Sequence, residues 1–206
     1  MERDFRETIE TEIRKDSVLI SAGLPGTWKS PVMEEIARLK DMQILRSDMI
    51  RLEVLKGKDI FDDRVASDPG NRRRVYEEML RRAESSLKTE RKGLILDATF
   101  FTQKLRGLAA EMALRASRPF VIAECVCSEE RSLERILKRT KENYESNALT
   151  REAYLNNKTI FEPVNILDLA KRLETLPILH LTVDTESDRP CDWRIRKIEK
   201  SGPRQP

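Results

Sequence analysis

The chain has 206 residues, and its 39 basic and 36 acidic side chains nearly cancel to a net charge of +3. This length suits one α/β core, and the small net charge excludes the whole-protein field typical of a nucleic-acid-binding protein. No apolar run approaches the roughly 18 residues that a membrane-spanning helix needs. We therefore expect no membrane partner.

Residues 1–16 predict an amphipathic helix or a loose leader, without the apolar segment of a secretory signal. Cys125 and Cys127 lie two positions apart in an apolar run, and Cys191 stands alone. This spacing and the odd count favour core packing over a metal site or a disulfide framework. A reducing, cytoplasmic location is the expectation.

Residues 17–32, SVLISAGLPGTWKSPV, predict a buried strand, a loop and the start of a helix. Gly23, Gly26, Lys29 and Ser30 fit a phosphate-binding loop. The N–H groups of such a loop cradle phosphate oxygens, its lysine reaches the outer phosphates, and its hydroxyl ligates Mg²⁺. The alternative is an ordinary strand-to-helix turn with a surface lysine.

Two residues depart from that loop pattern. Trp28 stands where a glycine is usual, so the loop requires backbone angles that suit a non-glycine residue and an indole that points out of the pocket. Pro31 fits the first turn of a helix but lacks an N–H that would face phosphate. Both departures predict weaker nucleotide binding than an intact loop gives.

The next helix is predicted over residues 32–40, followed by the short strand MQIL and the segment RSDMIR. Asp48 and Arg51 are three positions apart at a predicted helix start, just past the end of a strand, where open parallel sheets collect ligands. Asp48 is either a helix cap or a general base that accepts the proton of an attacking hydroxyl. Arg51 would then hold the substrate.

A long helix is predicted to open at Asn71, after a polar loop over residues 56–70 that could line an acceptor pocket. Most of its charges form a solvated face. An alternative role for the three arginines Arg72–Arg74 is contact with an anionic substrate.

The run GLILDATF predicts the next buried strand, ending in Asp97. A carboxylate at that position holds a magnesium-bound water in nucleoside-triphosphate sites. A helix over Gln103–Ala116 and the strand PFVIAECVCS follow.

Arg135 and Arg139 lie four positions apart on the helix predicted for EERSLERILKRT, and therefore share a face. In a lid, with the polar segment 141–158 behind them, they could close over a triphosphate and stabilise transition-state charge. The alternative is an exposed basic helix face.

The last predicted strand is ILHLTVDT, in which His180, the only histidine, is expected to be packed or hydrogen-bonded and not catalytic. The tail from Glu186 predicts a charged helix around Trp193, followed by a frayed end.

Six segments of the chain resemble, in the same order, the landmarks of the small P-loop kinase-like ATP-binding domains. These segments are GLPGTWKS, SDMIR, LILDATF, CVCSEERSLERILKR, YLNNKTIFEPV and HLTVDT. That family is similar to the kinase half of bacteriophage polynucleotide kinase, to zeta toxins and to the domain fused behind some aminoglycoside-phosphotransferase-like proteins. The resemblance spans residues 17–185, between the leader 1–16 and the tail 186–206 of a single domain.

The resemblance implies an α/β three-layer P-loop fold, with a five-stranded parallel sheet, the loop-bearing strand in its middle, and a helical lid. It also implies a role for each matching residue. These roles are nucleotide binding for Gly23 and Gly26, triphosphate and magnesium for Lys29 and Ser30, base for Asp48, substrate for Arg51, metal shell for Asp97, and lid for Arg135 and Arg139.

The function favoured by these residues is transfer of the γ-phosphate of ATP, with Mg²⁺, to a hydroxyl of a small molecule or a nucleic-acid end. The alternative is a degenerate relative that binds nucleotide weakly and acts as a regulatory or interaction module. The acceptor is unidentified, and the oligomeric state is open.

Overall fold

The computed structural model describes residues 2–60, 62, 64–65, 68–139 and 149–203. Its strands are β1 (Arg3–Asp4), β2 (Val18–Ala22), β3 (Gln43–Arg46), β4 (Leu94–Asp97), β5 (Phe120–Val126), β6 (Ile178–Asp184) and β7 (Arg194–Ser201). Its helices are α1 (Phe5–Glu12), α2 (Lys29–Lys40), α3 (Ser47–Val54), α4 (Pro69–Thr89), α5 (Gln103–Arg115), α6 (Glu129–Leu137), α7 (Arg151–Ile160) and α8 (Ile166–Arg172).

The strands form one mixed sheet of seven in the order β1-β7-β6-β5-β2-β4-β3. Strands β6, β5, β2, β4 and β3 run parallel, so the loop-bearing β2 lies in the middle of that set. Strands β7 and β1 add to the β6 edge in the antiparallel direction. The α/β P-loop-type fold is confirmed, and the prediction of five strands is wrong by two.

One additional strand is β1, in the segment predicted as a helix or a loose leader, and the other is β7, in the tail, where the helix predicted around Trp193 is wrong. Residues Arg194–Ser201 form β7, and Ile195 and Ile198, three positions apart, mimic a helical period. Thr182 of β6 pairs with Lys197, but the next residue, Val183, pairs with Ile195, so Arg196 is an extra residue in a β-bulge. A bulge resets the side-chain alternation, which lets both isoleucines pack on one face of the sheet.

Two apolar cores cover the two faces of the sheet, because side chains alternate along each strand. Val18, Ile20 and Ala22 of β2 face one core, and Leu19 faces the other. Helix α1 closes the second core, where the rings of Phe5 and Trp193 meet edge to face with centroids 5.3 Å apart. The central strands are thereby buried and hold the loops at their carboxyl ends in place.

Most other elements lie close to the predicted positions, while α8 was not predicted from the sequence. The three cysteines are free: Cys125 is buried, Cys127 is partly buried and Cys191 is exposed. Over the described ranges, the helices are too short or too polar to cross a membrane.

Candidate active site

The loop between β2 and α2 adopts backbone angles that favour glycine at three positions. Gly23 and Gly26 have φ of 132° and 83°. A Cβ on Gly23 would lie 2.5 Å from the carbonyl oxygen of Cys125, and one on Gly26 would collide with the carbonyl of Ser132. The two glycines are therefore required both by conformation and by the close approach of neighbouring backbone.

Trp28 is the third of these positions and adopts the left-handed conformation, with φ 56° and ψ 36°. For a residue with a Cβ this conformation costs about 1–2 kcal/mol, which explains why glycine is usual there. The indole lies under the guanidinium of Arg135, whose Cζ is 4.8 Å from the ring centroid. That cation–π contact offsets part of the backbone cost.

Arg135 is buried and joins the loop to the end of β6. Its guanidinium donates to the carbonyl oxygens of Gly26, at 3.2 Å, and Thr185, at 2.6 Å. Nε also donates to Asp188 at 3.0 Å. The structure thus places this predicted lid residue against the phosphate-binding loop, where it fixes backbone groups.

Lys29 begins α2, and its ammonium group donates across the loop to the carbonyl oxygen of Leu24 at 2.8 Å. Burial lowers the pKa of Lys29 from 10.5 to about 8, and the charges of Asp97 and Asp48 act in the opposite direction. Asp97 pairs in register with Arg46, the last residue of β3, so Asp48, two positions further on, lies at the same edge of the sheet. This convergence assembles the predicted site.

The lowered pKa of Lys29 predicts pH-dependent nucleotide binding. Phosphate binds the charged lysine, so affinity for magnesium-ATP should be constant below about pH 8 and weaken by up to about tenfold per unit above it. Calorimetry between pH 7 and 9.5 measures this change. Lys29→Met, which keeps the side-chain stem, should not show this fall of affinity with pH. A pH-independent affinity of the wild-type protein would contradict the prediction.

The carboxylate of Asp97 is buried at the carboxyl end of β4. Burial raises its pKa above the ordinary value, while a hydrogen bond with Ser30 and the charge of Lys29 oppose that rise. The hydroxyl of Ser21 lies 3.1 Å from Asp97 Oδ1 and accepts from the Ala98 N–H at 3.0 Å. Ser21 is a site residue that the sequence analysis missed, although it is a polar residue in an apolar strand.

Ser30 and Asp97 fit the oxygen-rich environment of a magnesium ion, since a hydroxyl and a carboxylate are the hard ligands that Mg²⁺ prefers. Ser30 lowers the pKa of Asp97, against the effect of burial, as expected of two groups beside the same loop. Within the described ranges, no cluster of three or more His, Cys, Asp or Glu side chains could hold a metal by itself. A magnesium ion here would take its remaining ligands from phosphate and water.

Asp48 and Arg51 form an ion pair within the first turns of α3. Their side chains are 26% and 12% exposed, so the pair lies in a partly dry environment. Asp48 does not cap its helix, because the N-cap residue is Arg46 and makes no side-chain cap bond. The carboxylate lies in the first turn of α3, where its charge also suits the helix N-terminus, at the edge of the sheet.

The loop after β4 is fixed by two buried residues that the sequence analysis also missed. The hydroxyl of Tyr76 accepts from the N–H of Phe100 at 3.1 Å. Arg106 donates to the carbonyl oxygens of Phe100, at 2.9 Å, and Glu162, at 2.6 Å. Phe100 has φ of 42°, and a strained residue held by its surroundings is typical of functional sites.

Arg139 follows α6, and its positive charge contributes to lowering the pKa of Lys29. Part of the polar segment 141–158, which was predicted to belong to a lid, lies outside the described residues; positions 151–160 form helix α7.

His180 is buried and bonded to Glu124 and Glu199, each at 2.9 Å, as expected of a packed histidine.

A family model described as an AAA domain matches residues 18–164. The chain belongs to this family. The AAA domain match covers the loop, Asp48, Asp97, Arg135 and Arg139, and it confirms the resemblance to a small P-loop kinase-like ATP-binding domain.

Solved structures with the same fold as this AAA domain include several kinases. A gluconokinase from Sinorhizobium meliloti 1021 superposes with a TM-score of 0.55 and 17% identity, over 85% of this chain and 86% of its own. A sugar kinase from Janibacter sp. HTCC2649 gives 0.54 and 10%, over 82% and 84%. At these identities the likeness establishes the fold.

Kti12 from Chaetomium thermophilum, solved in complex with ADP-AlF3, is a further neighbour with a TM-score of 0.52 and 15% identity, over 73% of this chain and 82% of its own. No curated protein sequence matches the chain. The AAA domain therefore has a kinase-like nucleotide-binding fold, and its acceptor must be argued from its own residues.

Proposed function

We propose that the protein is an ATP-dependent phosphotransferase that moves the γ-phosphate of ATP to a hydroxyl of a small molecule or a nucleic-acid end. The observation that carries this proposal is that Asp97 pairs in register with Arg46, which brings Asp97 and Asp48, two positions past the end of β3, to the same edge of the sheet as the loop. A nucleotide-binding module needs the lysine and the metal-shell carboxylate, whereas a second carboxylate at the sheet edge suits proton transfer.

The chemistry assigns one role to each group. Loop N–H groups and Lys29 hold the triphosphate, and Arg51 orients the acceptor. A bond forms between the acceptor oxygen and the γ-phosphorus, the bond from that phosphorus to the leaving oxygen of ADP breaks, and the hydroxyl proton goes to Asp48. Positioning and charge stabilisation supply most of the catalysis in such transfers.

Ser30 and Asp97 would hold a magnesium ion on the phosphate side of the site, the latter through bound water. When bound, the ion would supply positive charge that neutralises the triphosphate. Arg139 would add positive charge there, and Arg135 would keep the loop in its binding conformation.

Two experiments test the proposal in sequence. Magnesium-ATP should raise the melting temperature, and a screen of hydroxylated small molecules and 5′-hydroxyl oligonucleotides with γ-labelled ATP should yield a labelled product. The product should be lost in Asp48→Asn. ATP binding without transfer to any of the candidates would favour the second reading below.

A second candidate, a nucleotide-binding regulatory or interaction module with little catalysis, is favoured by Trp28 and Pro31. The proline is the third residue of α2 and offers no N–H to phosphate, while the tryptophan occupies a glycine position. Such a module would keep the fold and bind nucleotide weakly.

The double variant Trp28→Gly with Pro31→Thr distinguishes these readings. Glycine accepts the left-handed backbone, and threonine restores a donor to the bound anion, so ATP affinity should rise by about tenfold to a hundredfold as measured by calorimetry. If Trp28 has an acceptor-side role, transfer activity should fall as affinity rises. Unchanged affinity and activity would mean that nucleotide binds elsewhere.

A further inference from the structure

One buried side chain joins two segments that are far apart in the sequence. Arg106 lies in the first turn of α5 and is fully buried. Its guanidinium donates to the carbonyl oxygens of Phe100, at 2.9 Å, and Phe101, at 3.5 Å, in the loop after β4. It also donates to the carbonyl oxygens of Glu162, at 2.6 Å, and Pro163, at 3.0 Å, just after α7.

Backbone and side-chain bonds of neighbouring residues reinforce this contact. The N–H of Glu162 donates to the carbonyl oxygen of Phe101 at 2.8 Å, and the carboxylate of Glu162 accepts from the N–H of Gln103 at 2.6 Å. The side-chain amide of Gln103 donates to the carbonyl oxygen of Asn165 at 2.6 Å. The segment after α7 is therefore bound firmly to the loop after β4.

We call the contact between residues 100–106 and 161–165 the junction. It lies at the edge of the sheet that carries the candidate site, because its loop begins directly after β4 and Asp48 follows β3, the neighbouring strand. The N–H of Phe100 donates to the hydroxyl of Tyr76 at 3.1 Å. Tyr76 lies on α4, which packs against α3. The junction thus holds backbone that adjoins the helices beside the proposed base.

The set of bonds at Arg106 requires a guanidinium. This group has five N–H donors in one plane, so it can bond carbonyl oxygens of two segments at once, whereas a lysine ammonium is a single point of charge. The Cζ atom lies 5.1 Å from the centroid of the Phe161 ring. A buried cation is costly unless its partners stay in place, so Arg106 fixes the two segments relative to each other.

The backbone of the loop after β4 adopts a shape that needs such support. Phe100 has φ of 42°, a left-handed conformation that residues with a Cβ rarely adopt. Asp41 and Ser117 share this conformation in exposed turns, whereas Phe100 is fully buried. Its carbonyl oxygen is held by Arg106 and its N–H by Tyr76. Loosening the junction should therefore change the shape of this loop first.

We propose that Arg106 is a positioning residue for the acceptor, because through the junction it holds the loop after β4 in the shape that lets an acceptor hydroxyl reach Asp48. It acts through the backbone and not on the phosphate, so its replacement should lower transfer and leave ATP binding unchanged. The inference rests on the proposed function for its effect on transfer. The hold of Arg106 on the loop is measurable without any substrate.

The variants are Arg106→Lys, which keeps the charge and loses the planar fork, and Glu162→Ala, which removes the carboxylate that accepts from Gln103. Glu162 is exposed, so this second variant should fold even if the change at the buried arginine prevents folding. The matched controls are Arg115→Lys, at an exposed position of the same helix, and Glu174→Ala, in the exposed turn before β6.

Hydrogen exchange followed by NMR without substrate reports the junction through two amides, the N–H of Phe100 and the N–H at position 162. Both should exchange about fivefold or more faster in Arg106→Lys than in wild type, and the amide at position 162 also in Glu162→Ala. The amides of β2 and both control variants should keep wild-type rates. Unchanged exchange of the two amides in Arg106→Lys would overturn the inference.

Transfer is measured with the acceptor that the screen with γ-labelled ATP yields. Arg106→Lys should lower kcat/KM for that acceptor by about tenfold to a hundredfold, since a small misplacement of reacting groups has an effect of this size. Glu162→Ala should lower it less. The KM for ATP and the calorimetric affinity for a magnesium-bound non-hydrolysable analogue should stay close to wild type in both variants.

A merely structural role would lower the melting temperature of Arg106→Lys and leave the kinetic constants of the folded protein unchanged, which would overturn the inference. An equal loss of ATP affinity would also overturn it, because the junction would then support the whole site. If Arg106→Lys does not fold, the same measurements on Glu162→Ala decide. No labelled product from wild type would remove the proposed function and the acceptor role with it, while exchange would still show whether Arg106 holds the loop.

Discussion

Lys29→Ala is expected to abolish the thermal stabilisation of the protein by magnesium-ATP while leaving the fold intact. The lysine begins α2 and bonds a loop carbonyl, so its loss removes a phosphate-binding cation and no core packing. At a hundred times its dissociation constant a ligand stabilises the folded state by roughly 2.7 kcal/mol. Differential scanning fluorimetry with and without nucleotide measures the difference.

The matched control is Lys104→Ala, which removes the same charge from an exposed position on α5. It should keep the full nucleotide shift. Lys29→Ala should melt close to the wild-type temperature or slightly above it without nucleotide, because burial disfavours the charged lysine. A wild-type protein that shows no shift at millimolar magnesium-ATP would remove the nucleotide-binding claim for this chain.

The order of elements could be predicted from the sequence because each parallel strand is a short apolar run with a polar residue at its end. Asp97 closes the apolar run of β4 in the way the pattern predicts. Strand β7 could not be predicted, since its two isoleucines are spaced as in a helix and only pairing with β6 creates the bulge. Local spacing cannot show which edge of a sheet still has open hydrogen-bonding groups.

The first residues of the candidate site could be predicted because their spacing is local, as with Lys29 and Ser30 after the loop. The supporting residues could not, because their contacts join distant parts of the chain. Arg106, which is fully buried, would read as one more surface charge in a charged helix. Its bond to the Glu162 carbonyl spans 56 positions, and such a contact leaves no pattern in a single sequence.

The role of Arg135 could not be predicted from its position in the sequence alone. Its place four residues before Arg139 predicts a lid face, and the structure brings it to the phosphate-binding loop. The guanidinium there bonds carbonyl oxygens and covers the indole of Trp28. Together these contacts favour a positioning role through the loop over direct contact with the transferred phosphate.

Asp48→Asn is expected to remove phosphoryl transfer and leave ATP affinity nearly unchanged, since the change takes away a proton acceptor and no phosphate ligand. Loss of a general base typically lowers the rate by about 10²–10⁴-fold. Transfer of label from ATP to the acceptor measures the rate, and calorimetry the affinity. The amide keeps the shape of the side chain and one oxygen for Arg51, so the melting temperature should change little.

Asp41→Asn is the matched control for that variant. This exposed aspartate ends α2 in the left-handed conformation, which asparagine tolerates, and it precedes β3, at the end of that strand away from Asp48. It should keep wild-type activity and affinity. Full transfer activity in Asp48→Asn would show that Asp48 is not the base and that its place beside Arg51 is structural. A lost melting transition would lead to the same conclusion, because a base that only accepts a proton is not needed to fold the chain.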